Sequence, residues 1–323
     1  MKPKILVICG PTGIGKTGFA IRLAKRFNGE IVGADSMQLY RFMDIGTAKP
    51  DARELAEARH HLVGVIDPDQ DFDAARYAGM ADDAIAGINS RNKVAIVAGG
   101  TGFYIKALLH GLFRGRSAEP GIIERLEKQG LEKGPLYLHA LLQERDPETA
   151  ARLHPNDMFR VVRALEVLES TGKCISCFHQ DHQFAQSRYT ALKLGLTLDR
   201  DVLYARIDHR VDLMIQQGLI DEVKRLVAMG YSCDLKSMQS IGYRHVCDFL
   251  NKGVSWTETL CLLKRDTRRY AKRQFTWFRK EDGIHWIRPD EVDRAIELVT
   301  CFLSSGLERS SKEQTDPPMM HQR

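Results

Sequence analysis

The segment Gly10-Pro11-Thr12-Gly13-Ile14-Gly15-Lys16-Thr17 has the residue types and spacing of a phosphate loop, and it lies between a short apolar run and a helical pattern. Its chemistry follows from the backbone. Glycines let successive N–H groups turn inward as an anion nest, and the helix that begins there adds its positive end. Lys16 is suited to bridging phosphate oxygens, and the Thr17 hydroxyl to a Mg²⁺ ion. Nucleotide hydrolases usually add an apolar strand that ends in aspartate. Here the corresponding run, 94–98, is followed by Gly99-Gly100-Thr101-Gly102, and no Asn-Lys-x-Asp segment occurs. The loop therefore implies a diphosphate or polyphosphate ligand without implying hydrolysis.

Two further groups bear on chemistry. Asp35 and Ser36 follow the apolar pair Ile31-Val32, at what would be the carboxyl end of a strand, where open α/β sheets bind ligands. Asp35 fits an acid facing a cation and a helix cap about equally well. The stretch 264–280 holds eight cations and one acid in seventeen residues, interleaved with Tyr270, Phe275, Trp277 and Phe278. Such a helix suits a phosphate backbone and unstacked bases, or simply a solvated face above a packed aromatic stripe. Cys174, Cys177, His179 and His182 crowd together, but a zinc finger separates its pairs by about a dozen residues, so these read as packing or surface groups. His60-His61 reads as an ordinary strand edge.

The elements that must hold these groups alternate in the first third. Strands are expected at 5–9, 31–32, 62–66 and 94–98, and helices at 19–27 and 74–88. That rhythm implies a parallel sheet with helices on both faces. From 114 to 186 only helical patterns occur, near 122–128, 136–143 and 160–170. A strand returns at 191–198, followed by helical stretches 202–229 and 256–279. The expected organisation is an α/β core in two parts, 1–113 and 189–306, a helical insertion at 114–188, and a disordered polar tail at 307–323.

Composition narrows the class. The chain has 323 residues, 43% hydrophobic and 28% charged, which excludes disorder as its main state. Its apolar runs are far shorter than the roughly 18 residues of a membrane helix, so a cytoplasmic protein without membrane contact is expected. Lys and Arg total 47 against 42 acids, a net charge of +5 too small to name a partner. Seven scattered cysteines imply free thiols in a reducing compartment.

Taken together, these residues resemble the tRNA dimethylallyltransferase family over about 4–288. The motifs that carry the likeness are 10–17, Asp-Ser-Met-Gln-Leu-Tyr (35–40), Asp-Ile-Gly-Thr-Ala-Lys-Pro (44–50), Gly-Gly-Thr-Gly-Phe-Tyr (99–104), Arg-Ala-Leu-Glu-Val (163–167), Ser-Ile-Gly-Tyr-Arg (240–244) and Lys-Arg-Gln-Phe-Thr-Trp-Phe-Arg (272–279). The resemblance implies a P-loop NTPase-like parallel sheet with a helical insertion. It implies a bacterial-type, monomeric prenyltransferase that moves a dimethylallyl group from dimethylallyl diphosphate to N6 of adenine 37 beside the anticodon. The tRNAs concerned read codons beginning with U. By position, residues 10–17 would hold the diphosphate with Mg²⁺ on Thr17. Asp35 would take the proton from N6, Thr101 would meet the departing oxygen, and Lys16 and Arg210 would hold phosphate. The anticodon stem-loop would touch Asp35, Ser36, Met37, Gln38, Thr101, Ile123, Phe159, Arg160, Val161, Val162 and Arg163. It would also touch Gln239, Ser240, Ile241, Gly242, Tyr243, Arg244, Lys272, Arg273, Gln274, Phe275, Thr276, Trp277, Phe278 and Arg279. Ile123 departs from the family pattern, which often has an arginine there. Rival readings are a nucleoside or nucleotide kinase, a prenyltransferase of free adenylates, and an RNA-binding nucleotide switch. The first two leave the cationic stretch 264–280 idle, and the absence of guanine-reading and hydrolytic residues counts against the third.

Overall fold

The computed structural model describes residues 2–112, 119–182 and 187–305, so the expected tail at 307–323 and the 113/114 boundary lie outside the described residues. The chain divides into one unit of 1–109 with 188–323 and a second of 110–187.

In the first unit the run Lys-Ile-Leu-Val-Ile-Cys forms β1 (Lys4–Cys9), buried from Ile5 onward. Strands covered on both faces need such continuous apolar runs. It is followed by α1 (Lys16–Arg26), β2 (Gly29–Gly33), α2 (Ala52–Glu57), β3 (His60–His61), α3 (Ala74–Ser90), β4 (Val94–Gly99) and α4 (Gly102–His110). All strand pairs are parallel, in the order β3-β2-β4-β1 and onward to two strands from the second part of the chain. The expected strand at 62–66 is not one. Leu62 and Gly64 take positive φ (60° and 61°), and only Ile66 bridges, to Tyr40. A left-handed residue turns the chain out of the extended path a ladder requires.

The second unit is helical: α5 (Pro120–Lys133), α6 (Pro135–Arg145), α7 (Pro147–Arg152), α8 (Met158–Thr171) and α9 (Ile175–His182). Its core gathers Leu126, Leu138, Leu142, Val161 and Leu165. Asp146 caps α7 through the Thr149 amide (3.1 Å) and also accepts from the Ser176 amide (3.2 Å), joining α7 to α9.

The chain then re-enters the sheet as β5 (Thr190–Leu196), paired with β1, and closes it with β6 (Ile284–Ile287). Between them lie α10 (Arg200–Gln216), α11 (Leu219–Ala228), α12 (Tyr243–Asn251) and α13 (Trp256–Phe278); α14 (Val292–Ser304) follows. The helical stretch expected over 202–229 is two helices, because Gly218 adopts φ 96° and ends the first. The strand order reverses about β1, so the loops after β1, β2 and β4 converge at one carboxyl edge.

The cysteines correct an expectation. Cys174 is bonded to Cys177 and Cys233 to Cys247, with Cα atoms 5.2 Å and 6.0 Å apart, while Cys9, Cys261 and Cys301 are free. The fold brings those pairs within bonding reach, which spacing along the chain does not reveal. Among the described residues no group of three or more His, Cys, Asp or Glu side chains is placed to hold a metal, and the side chains of His179 and His182 lie outside them. No described helix is long and apolar enough to cross a membrane.

Candidate active site

The loop 10–15 joins β1 to α1 at the carboxyl edge of the sheet. Gly15 caps the helix at φ 99° with no side-chain hydrogen bond, a conformation that strains any residue with a Cβ. The first amides of α1 are therefore left without a side-chain cap, the arrangement in which a helix N-terminus can receive an anion. The Lys16 ammonium donates to Pro11 O at 2.8 Å, which folds its chain back over the loop. The resulting polar cavity, of about 200 Å³, is lined by Thr12, Gly13, Gly15, Lys16, Thr17 and Arg210, with Asp35, Gln38, Glu54 and His60 on its other walls. His60, read as a strand edge, thus faces this cavity.

The electrostatics single out two cations. Burial lowers the Lys16 ammonium to about 8; the Asp35 charge opposes that shift and the Arg210 charge adds to it. Burial likewise lowers the Arg210 guanidinium, with Asp35 and Glu54 opposing. Two cations held in a low-dielectric cleft are stabilised by an anion brought between them.

Asp35 lies just beyond β2. Its Oδ1 accepts from the amides of Met37 (2.9 Å) and Gln38 (3.4 Å), so it holds a turn over 36–39 where the cap reading expected a helix. Asp35 also lines the polar cavity, together with Lys16 and Arg210. The Thr101 hydroxyl accepts from the Ser36 amide at 3.0 Å and bonds the Ser36 hydroxyl at 3.3 Å, which ties the loop after β4 to the loop after β2. Beside these residues opens a second cavity, of about 310 Å³, with largely apolar walls from Met37, Ile207, Val211, Met214, Ile241 and Leu263. Thr12, Asp35, Thr47 and Arg210 line both cavities.

The segment 44–50 forms one rim, and sequence reasoning missed what holds it. Glu222 on α11 is 1% exposed and accepts from the amides of Asp44 (3.0 Å), Ile45 (2.8 Å) and Gly46 (3.1 Å) and from the Tyr243 hydroxyl (2.6 Å). The signal was present: Glu222 shares the buried stripe of Leu219, Val223 and Leu226. A carboxylate on an apolar stripe requires donors. Gln38 donates to Thr47 O (3.2 Å) and Ala48 O (2.9 Å), adding a second support to this rim. Glu222→Ala is expected to cost about 3 kcal/mol in urea unfolding, because three amides and a phenol lose their acceptor.

The structure separates the residues expected to touch RNA. Gln239, Ser240, Ile241, Gly242 and Arg273 line the apolar cavity. Lys272, Arg273, Thr276, Trp277 and Arg279 are exposed, whereas Gln274 and Phe278 are buried and Phe275 stacks on Trp286. Tyr243 is fully buried on Glu222, and Arg244 is paired with Asp266 at 2.7 Å. Not every cation of α13 faces outward unpaired. Arg268 grips Asp208 with contacts of 2.7 and 2.6 Å, and Lys264 meets Asp212 at 2.6 Å, both on α10. Among the described residues Lys272, Arg273, Arg279 and Lys280 carry no ion pair, and Trp277 is joined by exposed Phe103 at 6.4 Å.

In the helical unit Phe159 is 75% exposed, while Val161 and Val162 are core residues whose side chains are withdrawn from the surface. Their place on the inward face of α8 is the physical reason. Arg160 is paired with Asp157 and Arg163 with buried Glu166, and Ile123 packs on the core.

A model of the IPP transferase family matches residues 38–281. The chain belongs to this family. It is 52% identical over 306 residues to a protein of Desulfosudis oleivorans named tRNA dimethylallyltransferase, covering 94% of this chain and 98% of that one. A namesake from Geobacter sulfurreducens is 49% identical over 302 residues, 93% of this chain and 97% of its own. Among solved structures, this IPP transferase resembles the tRNA isopentenylpyrophosphate transferase of Bacillus halodurans at 40% identity and a TM-score of 0.70, over 98% of this chain and 100% of that one. A eukaryotic dimethylallyltransferase acting on tRNA is 30% identical with a TM-score of 0.82, over 94% of this chain and 80% of that one.

Proposed function

We propose that the chain is a tRNA dimethylallyltransferase: it moves the dimethylallyl group of dimethylallyl diphosphate to N6 of adenine 37, beside the anticodon, in tRNAs that read codons beginning with U. The observation that carries this reading is the junction of the two cavities. A phosphate cradle with two enclosed cations meets an apolar chamber at Asp35, Thr12, Thr47 and Arg210. A substrate with a diphosphate head and a hydrocarbon tail spans such a junction, with its reacting carbon at the boundary.

The adenine amine is a weak nucleophile because its lone pair is delocalised into the ring. The barrier therefore falls chiefly by stabilising the diphosphate as the C–O bond breaks. The amides of 13–17, Lys16 and Arg210 stand ready for that charge, and Thr101 lies beside the departing oxygen. N6 bonds to the allylic carbon and becomes cationic, then gives a proton to Asp35. The Oδ1 of Asp35 is held by two amides, and its Oδ2 carries no hydrogen bond among the described residues. The apolar walls keep water from the allylic carbon. Thr17, with Asp35 and Glu54 on the same cavity, supplies the hard oxygen donors that suit a partly hydrated Mg²⁺. When bound, that ion would neutralise phosphate charge.

The anticodon stem-loop is held by Lys272, Arg273, Arg279 and Lys280, with Trp277 as a stacking surface, and Phe159 in the helical unit is a further contact. Flipping the base out of its stack costs a few kcal/mol, which these contacts offset. We also propose that the enzyme works as a cytoplasmic monomer.

The test is incubation with labelled dimethylallyl diphosphate and unmodified tRNA. Label is expected on the RNA. Label on free AMP alone, or γ-phosphate transfer from ATP, would replace this reading with one of its rivals.

A further inference from the structure

The last buried residues of α13 are Ala271, Gln274 and Phe278, at helical spacing, and Gln274 is the polar one, 5% exposed. A primary amide withdrawn from water needs partners for both its ends. The Gln274 oxygen accepts from the Thr12 amide at 2.9 Å, and its nitrogen donates to Gly100 O at 2.9 Å. The chemistry of those partners fixes which end is which, since a backbone N–H only donates and a carbonyl only accepts. One planar group thus ties the phosphate loop after β1 to the loop after β4. The approach is close: a Cβ on Gly100 would meet the Gln274 Nε2 at 2.2 Å.

The loop after β4 is itself fastened to the loop after β2. The Thr101 amide donates to Ala34 O at 3.1 Å, and the Thr101 hydroxyl accepts from the Ser36 amide at 3.0 Å. Asp35 and Thr101 therefore sit on two loops that hold each other, and Gln274 holds the phosphate loop to that pair. Its grip also decides what Thr12 does. With its N–H on Gln274, Thr12 has no amide left for phosphate, so the anion nest begins at Gly13. Thr12 lines both cavities, so the residue that Gln274 fixes stands where the head and the tail of the substrate would meet.

We propose that Gln274 is a positioning residue for prenyl transfer: its side-chain amide sets the phosphate loop at a fixed distance from the loops that carry Thr101 and Asp35, so that a diphosphate seated on the first presents its allylic carbon to the others. The inference rests on the transfer reading above. It moves Gln274 from the RNA face of α13, where its motif places it among Arg273 and Trp277, to the diphosphate side of the reaction.

Gln274→Met tests it by keeping the length of the side chain and removing both hydrogen bonds. Single-turnover transfer of labelled dimethylallyl to tRNA, with both substrates saturating, is expected to slow about 10- to 100-fold, the cost of reacting groups held slightly out of line. The Kd of an unreactive thio-analogue of dimethylallyl diphosphate and the Kd of the unmodified anticodon stem-loop should each stay within about threefold, because the nest of 13–17 and the exposed cations of α13 are untouched. Gln274→Glu is the second variant, should the first not fold. It keeps the acceptor for Thr12 but sets an oxygen against Gly100 O, and the same slow transfer with the same two affinities is expected. A rate within about twofold of wild type in the folded variant would overturn the proposal and leave Gln274 as a packing group. Weakened stem-loop binding with a wild-type rate at saturating RNA would also overturn it and return Gln274 to the RNA. A wild-type protein unable to label tRNA would overturn the transfer reading first, so the two failures are told apart by the unmutated enzyme.

Discussion

Asp35→Asn is expected to lower turnover of tRNA prenylation by about 10²- to 10⁴-fold, the range of a lost general base. Asparagine is the informative replacement. Its Oδ1 accepts from the Met37 and Gln38 amides as the aspartate does, so the turn after β2 survives and only the proton acceptor disappears. Thermal unfolding should be unchanged within about 0.5 kcal/mol. Alanine would remove the turn and the base together and could not tell them apart. A loss of less than about tenfold would leave Asp35 as a turn residue and require another acceptor for the N6 proton.

The second large effect concerns Lys16. Lys16→Met is expected to reduce kcat/KM for dimethylallyl diphosphate by about 10²- to 10³-fold. Stability should move the other way or not at all. The ammonium is disfavoured by burial and sits beside Arg210, so the ligand-free fold gains nothing from its charge. Lost catalysis with an equal or higher unfolding midpoint is the signature of a charge kept for a ligand. A loss of activity in step with a loss of stability would contradict it, and would assign Lys16 to holding the loop through Pro11.

How much of this was legible depends on the range of the forces involved. The phosphate loop was, because its pattern is set by local backbone demands such as the positive φ of Gly15. The parallel sheet was too, since β1 and β4 are continuous apolar runs. Short elements were not: β6 has four residues, and its pairing with β5 is made by the fold. The cationic run of α13 was visible, but not its division into faces. Arg268 is engaged by Asp208, sixty residues earlier, and Gln274 by Thr12 and Gly100. Charge clusters look alike in sequence whether they meet water, RNA or a neighbouring helix. Glu222 could have been found as a carboxylate in an apolar stripe, but not the three amides it serves. The likeness to the prenyltransferases drew on several motifs in order, and that order survives where single motifs are ambiguous.

The central claim is that the anion cradle and the apolar chamber hold two ends of one allylic diphosphate, with the adenine arriving at Asp35. A crystal structure with an unmodified anticodon stem-loop and an unreactive thio-analogue of dimethylallyl diphosphate tests it most directly. The account predicts diphosphate oxygens on the amides of 13–17, the five-carbon tail among Ile207, Val211 and Leu263, and the flipped N6 within about 3.5 Å of Asp35. An analogue whose tail points away from that chamber, or an adenine that never comes near Asp35, would contradict it.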